Sequence, residues 1–180
     1  GGGAPAPASL IRVDPDGTAT VAARDLHFPN GTVITPDGST LIVGETTGNR
    51  YTAFDLAPDG TLSNRRIWAA FGALPQAETF LEGMALIKVA PDGCSLDAEG
   101  HIWSADALNN RCVRVAPGGE IVDEITVPGD LGIYACQLGG DDGRTLLLCA
   151  APDFFEHNRI GSDDAILFTT TVDVPHAGLP

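Results

Sequence analysis

The sequence predicts an all-β fold, a β-propeller of four-stranded blades of which about three and a half are present, on three observations. First, PNGTVITPDGSTLIVGETTGNR, beginning at Pro29, and PDGCSLDAEGHIWSADALNNR, beginning at Pro91, share one layout. Each opens on Pro, Asn or Asp, and Gly, runs through an apolar strand to a Gly-containing turn, enters a second strand and closes on Asn-Arg. Second, short apolar runs are punctuated by PDG, PGG and GGDDG turns, whose Asp and Gly supply the backbone angles that tight turns need. Third, no segment sustains a 3.6-residue apolar period, which excludes a mainly α fold.

In chain order, GGGAPAPAS reads as a loop, giving residues 1–9 as a flexible linker and 10–180 as a partial propeller domain. Leu10 to Val13 and Thr18 to Ala22 flank DPDG as a hairpin belonging to a preceding blade. Four strands in meander order follow: Gly31 to Thr35, Thr40 to Glu45, Arg50 to Asp55 and Thr61 to Trp68. Between Phe71 and Leu86 the turn signals thin out, and FGALPQAETF reads as an insertion carrying a short helix. The second copy gives Cys94 to Leu96, Ile102 to Ala105, Cys112 to Val115 and Glu120 to Val127. A third, partial copy runs from about Tyr134 through ACQL, a GGDDG turn, Thr145 to Ala150 and Ala165 to Val172. This count leaves a ring of blades incomplete, with two open edges. The remainder is outside this sequence, encoded separately, or replaced by a second copy of the chain.

Composition narrows the function. The 180 residues carry a net charge of -14, which argues against nucleic acid or an anionic membrane as partner, because both are bound through clustered Lys and Arg. Cys94, Cys112, Cys136 and Cys149 form no CxxC pair and read as buried free thiols. No apolar run reaches transmembrane length and the start lacks a basic region followed by an apolar core, so the expected location is the cytoplasm.

The chemistry-bearing residues are Asn30 and Asp92, at matching places in the two copies. In a propeller the innermost strand of each blade lines the central channel, and residues at its start project into one mouth. Asn carbonyl and Asp carboxylate oxygens from neighbouring blades can converge on one divalent cation, calcium, magnesium or manganese, with zinc also possible. The PDG triplets at 15, 36 and 58 join strands and read as turns only; PNG at 29 and PDG at 91 precede the first strand of a blade. Cys136 is placed at the equivalent start of the third inner strand, as a packed thiol rather than a nucleophile. His27 reads as packed or exposed near the mouth and His101 as a surface residue. His157 and His176 have no evident partner, and Asp106 and Asn109 are assigned no role.

The motifs LHFPNGTVITPDGSTLIVGETTGNRYTAFDLAPDGTLSNRR, PDGCSLDAEGHIWSADALNNRCVRVAPGGEIVDEI and ACQLGGDDGRTLLLCAAP resemble the regucalcin/gluconolactonase (SMP-30-like) family of six-bladed propeller lactonases, from about Leu10 to Pro180. The resemblance implies a divalent metal at the top of the channel, with Asn30 and Asp92 as ligands. A Glu from the family's first blade completes its ligand set, and that blade has no counterpart here. The implied activity is metal-dependent hydrolysis of a sugar lactone or related small ester. Asp92 would act as general base on water and Asn30 as a neutral ligand. Two other readings stand beside it: a non-catalytic metal-binding propeller module, and an inactive fragment of a longer lactonase, since six blades at about 45 to 50 residues each need near 300. The expected partners are a small lactone and, for the open edges, a second chain.

Overall fold

The computed structural model describes residues 6–178. Its strands are β1 (Ala8–Val13), β2 (Ala19–Leu26), β3 (Pro29–Ile34), β4 (Thr40–Glu45), β5 (Arg50–Leu56), β6 (Leu62–Ala70), β7 (Pro91–Leu96), β8 (Ile102–Asp106), β9 (Arg111–Val115), β10 (Ile121–Ile125), β11 (Gly132–Gly139), β12 (Thr145–Ala151) and β13 (Ile166–Thr171). They form four antiparallel sheets in meander order: β1-β2, β3-β4-β5-β6, β7-β8-β9-β10 and β11-β12-β13. This is the predicted partial propeller, a hairpin followed by two complete blades and a three-stranded one. β1 starts at Ala8, inside the segment read as linker, and residues 1–5 of that segment lie outside the described residues.

The blades stack face to face, so the core lies in layers between sheets. Ile42, Tyr51 and Ala53 of one complete blade meet Ile102, Val113 and Val115 of the next. Trp103, Ala105 and Cys112 meet Ile133, Cys136, Leu146 and Leu148. Since both faces of a middle strand are covered, its residues are buried consecutively rather than alternately: every residue of β8, Ile-Trp-Ser-Ala-Asp, is buried. Tyr51 donates its hydroxyl to Ser104 Oγ at 2.7 Å across the first of these layers, satisfying both groups in an otherwise apolar interface.

The turns follow the Asp-Gly chemistry read from the sequence. Gly17, Gly38 and Gly60 take φ of 85°, 71° and 80°, and Asp16, Asp37 and Asp59 each accept the N–H two residues on. The insertion carries a short helix, α1 (Phe80–Met84), opened by Thr79 and Glu82 bonding to each other's backbone N–H. A second short helix, α2 (Glu156–Arg159), joins β12 to β13.

Candidate functional site

β7 packs between β3 and β11, so the three inner strands lie side by side and all carry the same irregularity at the start. Pro29 pairs with Glu45 but Thr32 with Val43; Pro91 pairs with Asp106 but Cys94 with Ser104; Ile133 pairs with Ala150 but Ala135 with Cys149. Each inner strand thus gains one residue over its partner, a β-bulge of the kind that re-aims side chains at functional ends of sheets. PNG and PDG therefore do not precede the first strand, as the sequence reading had it. They form its bulged first turn.

The glycine of the motif is required by close approach. A side chain at Gly31 would run into the Asp92 carbonyl, and one at Gly93 would come within 2.7 Å of Ala135 Cα. These repeated contacts place Tyr134, not Cys136, in line with Asn30 and Asp92. The sequence assignment of Cys136 is corrected accordingly: it aligns with Cys94, two residues further in. There its thiol is buried and directed at the carbonyls of Gly93, 3.5 Å, and Trp103, 3.3 Å. The sequence gap from Asp92 hides this, because the third blade contains no Pro-Asp-Gly.

Asn30, Asp92 and Tyr134 meet in a cavity of about 230 Å³. Its polar side is Asn30, Asp92, Thr46 and Thr47, and its apolar wall is Phe28, Met84, Ile87, Ala107, Leu108, Tyr134 and Phe154. Met84 and Ile87 arrive from α1 and its exit, which gives the insertion at 71–86 a place in the site. Phe28 reaches the mouth from a left-handed backbone (φ 57°), a conformation disfavoured for a bulky residue and found where surrounding structure enforces it.

Burial pushes the Asp92 carboxyl above its ordinary value, against hydrogen bonds from the Asn30 side chain and the Gly93 N–H. Thr46 fixes the neighbouring amide. Its hydroxyl donates to the Pro91 carbonyl at 2.6 Å and so is left to accept from Asn30 Nδ2 at 3.4 Å, which leaves Asn30 Oδ1 uncommitted to this threonine. One threonine thereby ties the Asn30 strand to the residue preceding Asp92. Among the described residues, no three His, Cys, Asp or Glu side chains gather into a group that could hold a metal ion.

The closing Asn-Arg of each repeat holds these strands from behind. Asn49 and Asn110 adopt the left-handed conformation (φ 55° and 53°), which Asn tolerates better than most residues, and each turns the chain so that the following Arg meets a buried acid. Arg50 Nε lies 2.8 Å from Glu45 and Arg111 Nε 2.8 Å from Asp106, both acids fully buried. Each acid also accepts a backbone N–H just upstream of the PNG or PDG motif: His27 N–H to Glu45 at 2.7 Å, Ala90 N–H to Asp106 at 2.9 Å. Asn109 Nδ2 bonds both Asp106 oxygens at 2.9 Å. Asp106 and Asn109, assigned no role from sequence, are positioning residues.

The histidines stand apart from the cavity. His27 borders a different pocket with Leu74 and Gln76, and His101 Nδ1 lies 3.9 Å from Asp97. His157 is exposed on α2, and His176 bridges to Asp97 at the far end of β7. The four thiols are all free, Cys112 and Cys136 buried and Cys94 and Cys149 partly so.

With this geometry in place, comparison with known proteins decides the family. Residues 2–152 match the family model described as SMP-30/Gluconolactonase/LRE-like region. The chain belongs to that family. A 6-deoxy-6-sulfogluconolactonase of Pseudomonas putida is 28% identical over 177 residues, covering 95% of this chain and 55% of that protein. Among solved structures, a calcium-binding regucalcin of Agrobacterium tumefaciens aligns with a TM-score of 0.69 at 24% identity, over 93% of this chain and 53% of the other. A gluconolactonase of Xanthomonas campestris aligns with 0.59 at 28% identity, over 80% and 42%. The chain spans about half the length of the curated relatives it matches. No helix among the described residues is long and apolar enough to cross a membrane.

Proposed function

We propose that this chain carries one wall of a metal-dependent lactonase site and opens a sugar lactone or related small ester. The observation that supports the reading most is the pairing of Asn30 and Asp92 at the mouth of the channel, on strands held together by Gly31 and Thr46. The names of the relatives, gluconolactonases and other lactonases, point to the same reaction class.

The donor set fits a hard divalent cation. Asp92 is the one charged side chain lining the described cavity, it is partly desolvated, and no Lys, Arg or His lines the cavity to neutralise it. A carboxylate in that setting is stabilised by a cation, and amide and carboxylate oxygens suit calcium, magnesium or manganese, with zinc accommodated by further oxygen ligands. When bound, such an ion would supply Lewis acidity toward the ester carbonyl and favour developing negative charge on its oxygen.

The chain's own residues do the rest. Asp92 accepts the proton of the attacking water on a carboxylate oxygen. Asn30, held by Thr46, contributes a neutral oxygen and leaves the site with a single negative charge from this pair. The apolar wall formed by Met84, Ile87, Leu108 and Phe154 limits the water around the carboxylate.

The reading is tested by following acid release from a panel of small lactones, with calcium, manganese, magnesium or zinc and with a chelator, for wild type and Asp92→Asn. Turnover that needs metal and disappears in the variant is expected. Metal binding without turnover would instead make the chain a binding module, and an active, metal-loaded Asp92→Asn would remove the base from Asp92.

A further inference from the structure

The apolar lining that shares the cavity with Asn30 and Asp92 has a composition that the sugar-lactone class does not call for. A polyhydroxylated lactone presents several hydroxyls, each of which loses water on binding and needs a protein partner. This cavity offers few. Asn30 and Asp92 are committed to the cation and the Thr46 hydroxyl to the Pro91 carbonyl at 2.6 Å, which leaves the hydroxyls of Thr47 and Tyr134 as the remaining polar side-chain groups of the described lining. The rest of the described lining is mainly apolar: Phe28, Met84, Ile87, Leu108 and Phe154, with the Tyr134 ring. Ile87 packs with Ala90 and Ala107 into a buried apolar cluster against which Leu108 and Tyr134 rest, giving the cavity a greasy floor. The apolar surface continues outward: Tyr134 stands edge-on to Phe154 at 6.0 Å, and Phe154 lies 4.7 Å from Phe155. Phe28 and Phe154 remain 54% and 42% exposed at the mouth, large apolar side chains placed where a substituent would enter. Arg159, the cation whose charge reaches Tyr134, is paired with Asp153 and Asp164, so it is not free to meet a sulfonate or phosphate tail.

We infer that the site prefers a lactone bearing an apolar alkyl or aryl substituent over a polyhydroxylated or anionic sugar lactone. The inference rests on the lactone-opening reading for the ring and adds the substituent, which lies along Leu108, Tyr134 and Phe154 while the ester carbonyl faces Asn30 and Asp92. A cavity of about 230 Å³, below the usual range of about 300 to 1,000 Å³ for ligand sites, has room for one ring with a short chain. Each methylene buried on this wall raises affinity about fourfold.

The test compares two six-membered lactones, δ-decalactone and D-glucono-δ-lactone, with the purified chain and calcium, manganese or zinc, correcting for spontaneous opening. In parallel, calorimetry measures binding of the two matching lactams, which do not hydrolyse. The expected result is at least a tenfold higher kcat/KM for δ-decalactone and at least tenfold tighter binding of its lactam. Phe154→Asn should reduce both preferences about tenfold by weakening the alkyl compound alone. If neither lactone opens but the alkyl lactam still binds tenfold tighter, the lactonase reading fails and the apolar site stands. Equal or stronger binding or turnover of the sugar compound, binding of neither lactam, or a Phe154→Asn variant with unchanged preference overturns the inference.

Discussion

Removing the Asp106 carboxylate should loosen the strand that presents Asp92, and the size of the effect can be worked from its contacts. Asp106 is wholly buried and accepts from Ala90 N–H at 2.9 Å, Asn109 Nδ2 at 2.9 Å and Arg111 Nε at 2.8 Å. In Asp106→Ala the N–H of buried Ala90 loses its partner, a cost of about 1 to 3 kcal/mol. Breaking one side of a buried ion pair typically costs about 3 to 5 kcal/mol in all. The lower end applies, because Arg111 is 22% exposed and keeps Glu124 at 2.7 Å. A loss of about 3 kcal/mol in a domain of this size lowers Tm by roughly 6 to 12 °C. The control is Asp97→Ala. Asp97 is equally buried, pairs with Arg114 at 2.7 Å and caps the N–H groups of Glu99 and His101, but it lies at the far end of β7. Calorimetric unfolding should show similar losses for both variants, whereas calcium affinity and hydrogen-exchange protection at Ala90, Asp92 and Gly93 should fall only in Asp106→Ala. A Tm within about 2 °C of wild type, or equal loss of metal affinity in both variants, would refute the positioning argument.

Two further outcomes follow from the charges. Burial raises the Glu45 carboxyl, but bonds from Arg50, Thr52 and the His27 N–H outweigh it and leave the group below its ordinary value of 4.5. The folded state therefore binds this proton less readily than the unfolded chain. Its contribution is complete above about pH 4.5 and is lost as pH falls through the lowered value, so acid unfolding should steepen below pH 4.5 and flatten in Glu45→Gln, as urea midpoints across pH would show. At the site the sign is reversed: Asp92 is raised, so its ionised form weakens the metal-free fold at neutral pH. In a chelator Asp92→Asn should match or exceed wild-type Tm, while divalent metal at about 100 times Kd should add roughly 2.7 kcal/mol, or about 5 to 11 °C, to wild type alone. An equal metal shift in the variant would sink the ligand assignment.

The fold was legible because its signals are local. Asp-Gly turns set the hairpins, and strand lengths followed the apolar runs to within a few residues, as at Thr40–Glu45, which matches residue for residue. Asn30 and Asp92 were legible as a pair because the repeat aligned them. Tyr134 was missed because the third inner strand keeps the bulge but not the Pro-Asp-Gly letters, and a bulge is a property of pairing, not of composition. The apolar wall was missed for a related reason: Phe28, Met84, Leu108 and Phe154 come from four separate connections, and only the stacking of blades brings them together. The signal for Asp106 was present. The acid-to-Arg spacing is the same in both copies, Glu45 to Arg50 and Asp106 to Arg111, and a buried pair is what keeps that spacing useful.

The three inner strands present the same bulged backbone to the channel and differ in the side chain each supplies: amide, carboxylate, phenol. The backbone placement is set by groups outside the cavity, the buried acids behind β3 and β7 and the glycine contacts between strands, so it does not depend on which side chain is presented. That separation has an electrostatic consequence. Two neighbouring carboxylates at these positions would repel each other in a partly desolvated setting and draw the full charge of a divalent ion. One carboxylate between a neutral amide and a phenol, whose own ionisation is opposed by burial and by Asp153 and Asp92, would leave a divalent ion, if bound as proposed, with net positive charge toward this wall. Net positive charge is what an ion needs to act as an electrophile rather than as a structural plug, and the neutral Asn30 and Tyr134 would preserve it.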